Sequence, residues 1–238
     1  MTAEAEKARR NAVLDGLSED QLAALLPDLD EVALPLGQVL HEPGRTVDAV
    51  YFPLTGVVSI VAELDGYQVV ETATVGREGM AGLSVLLGAA APTERALVQV
   101  PGAALRMSTA RFQHAVAVLD GPLALRLLRY TQAVFTQVAR NAACNRVHPI
   151  RQRAARWLLS TQDQMGSPSF ELTQEFLGQM LAVRRQSAGD AARGLAEEGC
   201  IRYTRGAVTI LNRERLHTHA CDCYDAIAQA LVAARSAD

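Results

Sequence analysis

Cysteine is scarce in this 238-residue chain: there are four, Cys144, Cys200, Cys221 and Cys223, and none precedes Cys144. That is too few for a disulfide scaffold, and in a reducing compartment they read as free thiols. Long apolar runs are missing as well. The longest, such as Leu83 to Leu87, fall far short of the ~20 residues a membrane helix needs. The charged stretch Met1 to Arg10 lacks the apolar core of a signal peptide, so the expected address is cytoplasmic, with no membrane partner. Lysine is nearly absent. Of 23 basic residues all but Lys7 are arginine, the side chain that grips phosphate through two parallel hydrogen bonds. No Walker loop, HExxH or nucleophile elbow occurs. A metal-dependent enzyme in a small β-barrel needs two or three histidines and a carboxylate converging inside it. Only His41 lies in the β-rich segment, with His114 just after it, so the chain is read as no enzyme, with no catalytic residue.

What is present is enough to fold. Hydrophobic residues make up 49% and charged residues 21%, which suits a globular chain of two modest domains. Charge is uneven: residues 1–144 hold 11 basic against 16 acidic side chains, residues 145–238 hold 12 against 10. The tilt permits nucleic-acid binding without establishing it. Near the N-terminus Ser18-Glu19-Asp20-Gln21 reads as a capping box opening a helix. From about residue 33 to 108, short runs rich in Val, Ile, Tyr and Thr alternate with Gly, Pro and Asp. The spacing predicts strands over Val47–Phe52, Val57–Val61, Gln68–Thr74, Ala96–Val100 and Ala104–Met107, with Asp65-Gly66 as a hairpin turn. No helix alternates with them, which points to an antiparallel roll and away from a doubly wound fold.

Beyond Thr109 the period becomes helical. Pro122 through Val147 reads as one long helix, with Leu127, Leu128, Val134, Phe135, Val138 and Ala142 on or near one stripe. That stripe fits pairing with a second copy of the chain and packing on the roll equally well. Pro149 breaks the helix. Five arginines and no acidic residue lie between Arg140 and Arg156. Further on, Thr173 is a helix N-cap, and Phe176, Leu177 and Met180 form the buried face of the helix it opens. A tight turn at Leu181-Ala182-Val183 leads to a second helix that starts with Arg184, Arg185, Gln186 and Ser187 and carries Ala188, Ala191, Ala192 and Leu195 on its inner side. This is a helix-turn-helix, whose second helix meets base edges and phosphates at its N-terminal end. Glu198-Gly199 closes that helix. The hairpin Cys200–Leu211 follows as a wing, with Arg205 at its tip, and a last helix is predicted from Arg213.

Over about residues 15–220 the chain resembles the Crp/Fnr family of bacterial transcription regulators. The most specific parts are Leu172 to Gly199 with the wing, and Val75-Gly-Arg-Glu-Gly-Met80 through Glu94-Arg95-Ala96. The resemblance implies an α+β fold. A cyclic-nucleotide-binding-like antiparallel β-roll would span 1–120, a dimerisation helix 121–148, and a winged helix-turn-helix with a C-terminal helix 149–238. It further implies a homodimer on double-stranded DNA, RNA polymerase as a further partner, and a palindromic operator with half-sites ~34 Å apart. The residues expected at DNA are Thr173, Arg184, Arg185, Gln186, Ser187, Asp190 and Arg205. Family members carry Glu at the position of Gln186 and Arg at that of Asp190, so the operator sequence does not transfer. Ala182 stands where a turn glycine is usual, which predicts strain there.

For the effector, the resemblance points to Gly76, Glu78, Gly79, Met80, Arg95 and Thr136. Arg95 matches the arginine that holds a cyclic phosphate, but an ungapped count places Ala81 at the ribose-binding glutamate. The roll is therefore expected to persist with its cyclic AMP pocket altered or lost, Arg95 pairing instead with Glu78 or Glu94. A cofactor is left open between none and a cyclic nucleotide or other small effector. Iron–sulfur sensors of the family carry an N-terminal cysteine cluster, which this chain lacks. Cys221-Asp222-Cys223 is a lone C-x-C, whose candidate partners in a metal or redox site are the scattered His217 and His219, or the Cys144 and His148 pair one helical turn apart. No metal site is expected from such spacing. Cys144 and Cys200 read as buried small side chains, and redox sensing at Cys221 and Cys223 stays open. The competing function is a nucleotide- or redox-responsive sensor or interaction protein that has lost DNA binding.

Overall fold

Short polar side chains start the chain as helix. The computed structural model describes residues 2–64, 68–118, 121–204 and 206–236. In it α1 (Ala3–Ala8), α2 (Ala12–Asp15) and α3 (Glu19–Leu25) are capped by Thr2, Asn11 and Ser18. Ser18 and Gln21 form the predicted capping box, each satisfying a backbone N–H of the other. Asn11 is fully buried and ties this start to the sheet, donating to the carbonyls of Pro53 at 3.0 Å and Gly79 at 2.8 Å.

Five strands follow: β1 (Asp30–Leu34), β2 (Val39–His41), β3 (Ala49–Leu64), β4 (Gln68–Val75) and β5 (Arg95–Ser108), with α4 (Leu83–Leu86) between the last two. They form an antiparallel sheet in the order β1-β5-β3-β4, with β2 also paired to β5. β3 and β4 pair as far as Leu64 opposite Gln68. The Asp65-Gly66 turn that predicts this hairpin lies outside the described residues. Where the sequence predicts four short strands there are two long ones. Gly56 and Pro101-Gly102 read as breaks, yet they lie where β3 and β5 bend together through a run of register shifts. Gly56 has φ +81°, and a Cβ on Gly102 would lie 2.3 Å from the Thr55 carbonyl oxygen. Glycine there is the condition for close approach of two backbones, not a strand end.

α5 (Thr109–Val118) leads to α6 (Pro122–Val147), the long helix that the periodicity predicts. Its buried stripe is Leu123, Leu127, Tyr130, Ala133, Gln137, Asn141 and Cys144, at helical spacing. The stripe packs on the roll, where Gln137 donates to Thr74 at 2.9 Å and Asn141 to the Thr72 carbonyl at 2.9 Å. Leu125, Leu128, Phe135 and Val138 remain exposed on another face of the same helix.

The C-terminal half comprises α7 (Ile150–Met165), β6 (Ser169–Glu171), α8 (Gln174–Met180), α9 (Arg185–Glu197), β7 (Ile201–Thr204), β8 (Ala207–Ile210), α10 (Arg213–Thr218) and α11 (Cys223–Arg235). The strands form one small sheet, β6-β8-β7. Two features depart from the sequence reading: β6 adds a third strand beside the wing, and the single predicted last helix is two. α11 packs along α6. Val57, Val61 and Val100 of the roll share one continuous apolar cluster with Trp157, Leu158, Leu177 and Met180. Among the described residues no helix is long and apolar enough to cross a membrane.

Candidate nucleic-acid interface

The helix-turn-helix is set by three local choices. Thr173 caps α8, its hydroxyl accepting from the Phe176 N–H at 3.1 Å, so this expected DNA contact already has a structural task. Gly178 lets the chain fold back: the Val183 N–H reaches its carbonyl at 2.9 Å. Ala182 takes φ +50°, the sole non-glycine with positive φ among the described residues, as its place in the turn predicts. The buried Arg153 of α7 then donates to the Leu181 carbonyl and locks the turn from behind.

α9 buries Ala188, Ala191, Ala192 and Leu195. It therefore presents Arg185, Gln186 and Asp190 to solvent, with Ser187 half-buried. Arg184 precedes it without a side-chain cap, so the first backbone N–H groups of α9 stay open. Open amides, the helix dipole and two guanidinium groups at one place suit an anion such as a backbone phosphate. Among the described residues neither Arg184 nor Arg185 makes an ion pair. Asp190 faces Arg193 at 3.4 Å. Arg193 completes the exposed stripe Gln186, Asp190, Arg193, a candidate position that the i, i+4, i+7 spacing signals but the sequence reading missed. Arg205 lies outside the described residues.

The arginine-rich stretch that precedes this motif does other work. Arg151 pairs with Glu198, while Arg153 and Arg156 are buried. The turn between α8 and α9 also lies beside β4, where Gly178, Gln179, Ala182 and Arg184 border a cleft with Val69 and Val70.

Two buried carboxylates of the roll meet α7. Glu71 accepts from Trp157 Nε1 at 2.9 Å and lies 2.8 Å from the Ser59 hydroxyl. Burial raises it to about 7, against the pull of those bonds and of Arg156. Glu78 accepts from the Gly76 N–H at 2.8 Å and from Gln164 at 2.9 Å, and burial raises it too.

These contacts decide what the expected effector residues can do. Glu78 and Gly76 are occupied with each other, and a Cβ on Gly79 would lie 1.9 Å from the Tyr130 ring. Arg95 pairs with Glu42 at 3.0 Å and Glu63 at 2.5 Å, not with Glu78 or Glu94 as expected. Thr136 donates to the Gln132 carbonyl of its own helix at 3.1 Å. Of the six, Met80 alone lines the cavity between roll and α6. That cavity, about 500 Å³, is walled by apolar side chains such as Ile60, Val75, Leu83, Val134 and Phe135. No arginine or lysine is among the described residues lining it, and burial pushes its His41 imidazole down while the ring bonds the Ala49 carbonyl at 2.9 Å. Among the described lining residues none is a fixed cation for a phosphate.

Of the candidate partners for Cys221 and Cys223, the fold selects one pair. Cys144, Cys221 and Cys223 come together beside His148, whereas Cys200 is buried elsewhere. His217 and His219 stay apart from them, bonded to Asp225 at 2.8 Å and Glu198 at 2.6 Å.

A β-roll, a long helix and a winged helix-turn-helix stand in this order along the chain. The family model of the Crp-like helix-turn-helix domain matches residues 152–218, from α7 to α10. No curated protein matches the chain in sequence. Solved structures match its fold. FixK2 of Bradyrhizobium japonicum aligns with a TM-score of 0.69 at 16% identity, covering 81% of this chain and 98% of its own. The c-di-GMP-responsive global regulator CLP of Xanthomonas campestris gives 0.64 at 16%, covering 81% and 99%. A CRP/FNR-family transcriptional regulator of Thermus thermophilus gives 0.64 at 20%, covering 80% and 98%.

Proposed function

We propose that the protein is a cytoplasmic homodimer that reads a two-fold symmetric DNA site with α9 and acts on transcription together with RNA polymerase. The observation that carries this reading is the exposed set Arg184, Arg185 and Gln186, unpaired among the described residues, at the uncapped start of α9. Arg185 suits guanine and Gln186 adenine, each through two hydrogen bonds in the major groove. Ser187 and the open amides suit phosphate, and Thr173, together with Arg205 on its sequence position alone, is taken as a further DNA contact. Support for the homodimer comes from α6, whose exposed Leu125, Leu128, Phe135 and Val138 leave an apolar face open for a second copy. The roll senses an uncharged, apolar molecule in the cavity against α6, since Arg95 is engaged by Glu42 and Glu63.

Selection of duplexes from a random pool by the purified protein tests the reading. Enrichment of a palindrome with half-site centres ~34 Å apart is expected, with affinity falling steeply as salt rises. Arg185→Ala should lose about 1–3 kcal/mol of discrimination at one base pair of each half-site. A uniform loss on all duplexes would make Arg185 a phosphate contact. If no sequence is enriched and binding ignores salt, the protein is a sensor that has lost DNA recognition.

A further inference from the structure

Three thiols and an imidazole converge where the long helix ends. Cys144 is on the buried stripe of α6, and His148 follows one turn later at its C-cap. Cys221 and Cys223 flank Asp222 at the start of α11. All three cysteines are buried and none is in a disulfide. Cys144 Sγ lies 3.5 Å from Cys221 Sγ, and Cys223 Sγ lies 3.8 Å from His148 Nδ1. One donor atom from each of the four residues lies within 4.8 Å of every other.

That spacing selects the occupant. Thiolates bound at ~2.3 Å around one tetrahedral Zn²⁺ stand ~3.8 Å apart, close to the distances between these side chains. An iron–sulfur cluster spreads its thiolates over several irons and needs them farther apart. Two neighbours fit the same conclusion. His148 turns Nε2 toward the Asp222 carboxylate at 3.5 Å, the outer partner that fixes a ligating imidazole with Nδ1 facing the ion. Arg156, which faces Cys144, and Arg153 are both buried, and the Nε of each has no hydrogen-bond partner. Among the described residues neither makes an ion pair with a carboxylate. Three thiolates around a dication carry one net negative charge, which compensates these two buried guanidinium groups, of which Arg156 also acts on the buried Glu71 carboxyl.

We propose that Cys144, Cys221, Cys223 and His148 form a closed, mononuclear site for a thiophilic divalent ion, Zn²⁺ by its ligand set. Binding replaces the thiol protons, which leave to solvent, with bonds to the ion. No electron transfer is involved. The site joins the last turn of α6 to the first of α11 across the His148-Pro149 joint from which α7 departs, so its occupant fixes the α6–α11 contact on which the winged helix is carried.

The test uses the full-length chain, purified under reducing conditions, stripped with a chelator and titrated with Co²⁺ and then Zn²⁺. One equivalent of Co²⁺ per chain should give the intense red-region and near-ultraviolet absorption of tetrahedral cobalt–thiolate, and an equivalent of Zn²⁺ should abolish it. Cys221→Ser and Cys223→Ser should each lose that spectrum. Asp222→Ala, which keeps all four ligands, should weaken the ion about 10–100-fold. Cys200→Ser, remote from the site, should leave it unchanged. The proposal is overturned by a wild-type chain that shows no cobalt–thiolate bands, by a spectrum that survives Cys221→Ser, or by a Cys144–Cys221 disulfide in protein kept anaerobic. No DNA is present in this experiment, so its failure leaves the regulator reading untouched.

Discussion

Glu71 shows how a single side chain can set the pH response of the roll. Its carboxyl is buried against Trp157 and raised from 4.5 to about 7. Between those values the folded chain keeps a proton that the unfolded chain has lost, so stability falls as pH rises from about 4.5 to 7 and then levels. Glu71→Gln removes this component. The variant should match the parent near pH 5 and exceed it at pH 8 by up to about 3 kcal/mol, read from urea midpoints at both values. An unchanged pH slope would mean that Glu71 stays ionised in the fold. Ala182 carries a different cost, because its methyl group sits in a left-handed turn. Ala182→Gly relieves about 1–2 kcal/mol of strain and gives back about 0.4–1 kcal/mol as unfolded-state entropy, so a net gain of about 0.5–1 kcal/mol is expected. A loss of stability would show that the turn is unstrained. Of these two residues only Ala182 was legible in the sequence, because a turn between two helices is a local feature. Glu71 is indistinguishable from a solvated strand carboxylate until α7 covers it.

Elements were legible where their signals are local, and misread where the backbone is shaped by a partner. The capping box at Ser18, the run of α6 and the order of helix, turn, helix and wing follow from neighbouring residues alone. β3 and β5 were each cut in two, because Gly56 and Gly102 look like ends until the two strands are seen to cross there. α6 was also ambiguous for a physical reason. Its pattern contains two apolar stripes, and a sequence does not say which one the roll takes. Leu123, Leu127 and Tyr130 are buried, while Leu128 and Val138 are exposed and Phe135 is 67% exposed. In the proposed homodimer a charge on the second stripe should therefore spare the fold and break the pairing of copies. Leu128→Glu, which lies clear of the cavity that Phe135 walls, is expected to keep the parent circular dichroism spectrum, to sediment as a monomer, and to lose affinity for a palindrome far more than for a single half-site. A Leu128→Glu dimer would place the pairing surface elsewhere.

The features least legible in the sequence are those assembled from distant parts of the chain. The apolar cavity draws on β3, β4, the α4 loops and α6, and the thiol cluster on Cys144 and Cys221, which are 77 residues apart in the chain. Spacing rules see neither. The same holds for the shared core of the two halves, which joins Val57, Val61 and Val100 to Leu177 and Met180. That core holds the turn before α9 beside Val69 and Val70 of β4, so the roll stands next to the surface that would face DNA. On the proposed reading, a duplex that meets Arg184 and Arg185 competes with this contact, and the affinity measured is reduced by the fraction of molecules in which the turn is free. Trimming the contact should raise that fraction. Val69→Ala with Val70→Ala removes apolar contact of order 1 kcal/mol while adding no charge near the DNA, so operator affinity should rise about fivefold. Hydrogen exchange at Gly178 to Val183 should quicken in the same variant. Unchanged affinity with faster exchange would mean that α9 meets DNA without leaving β4, and that the signal reaches it through the α6–α7 joint alone.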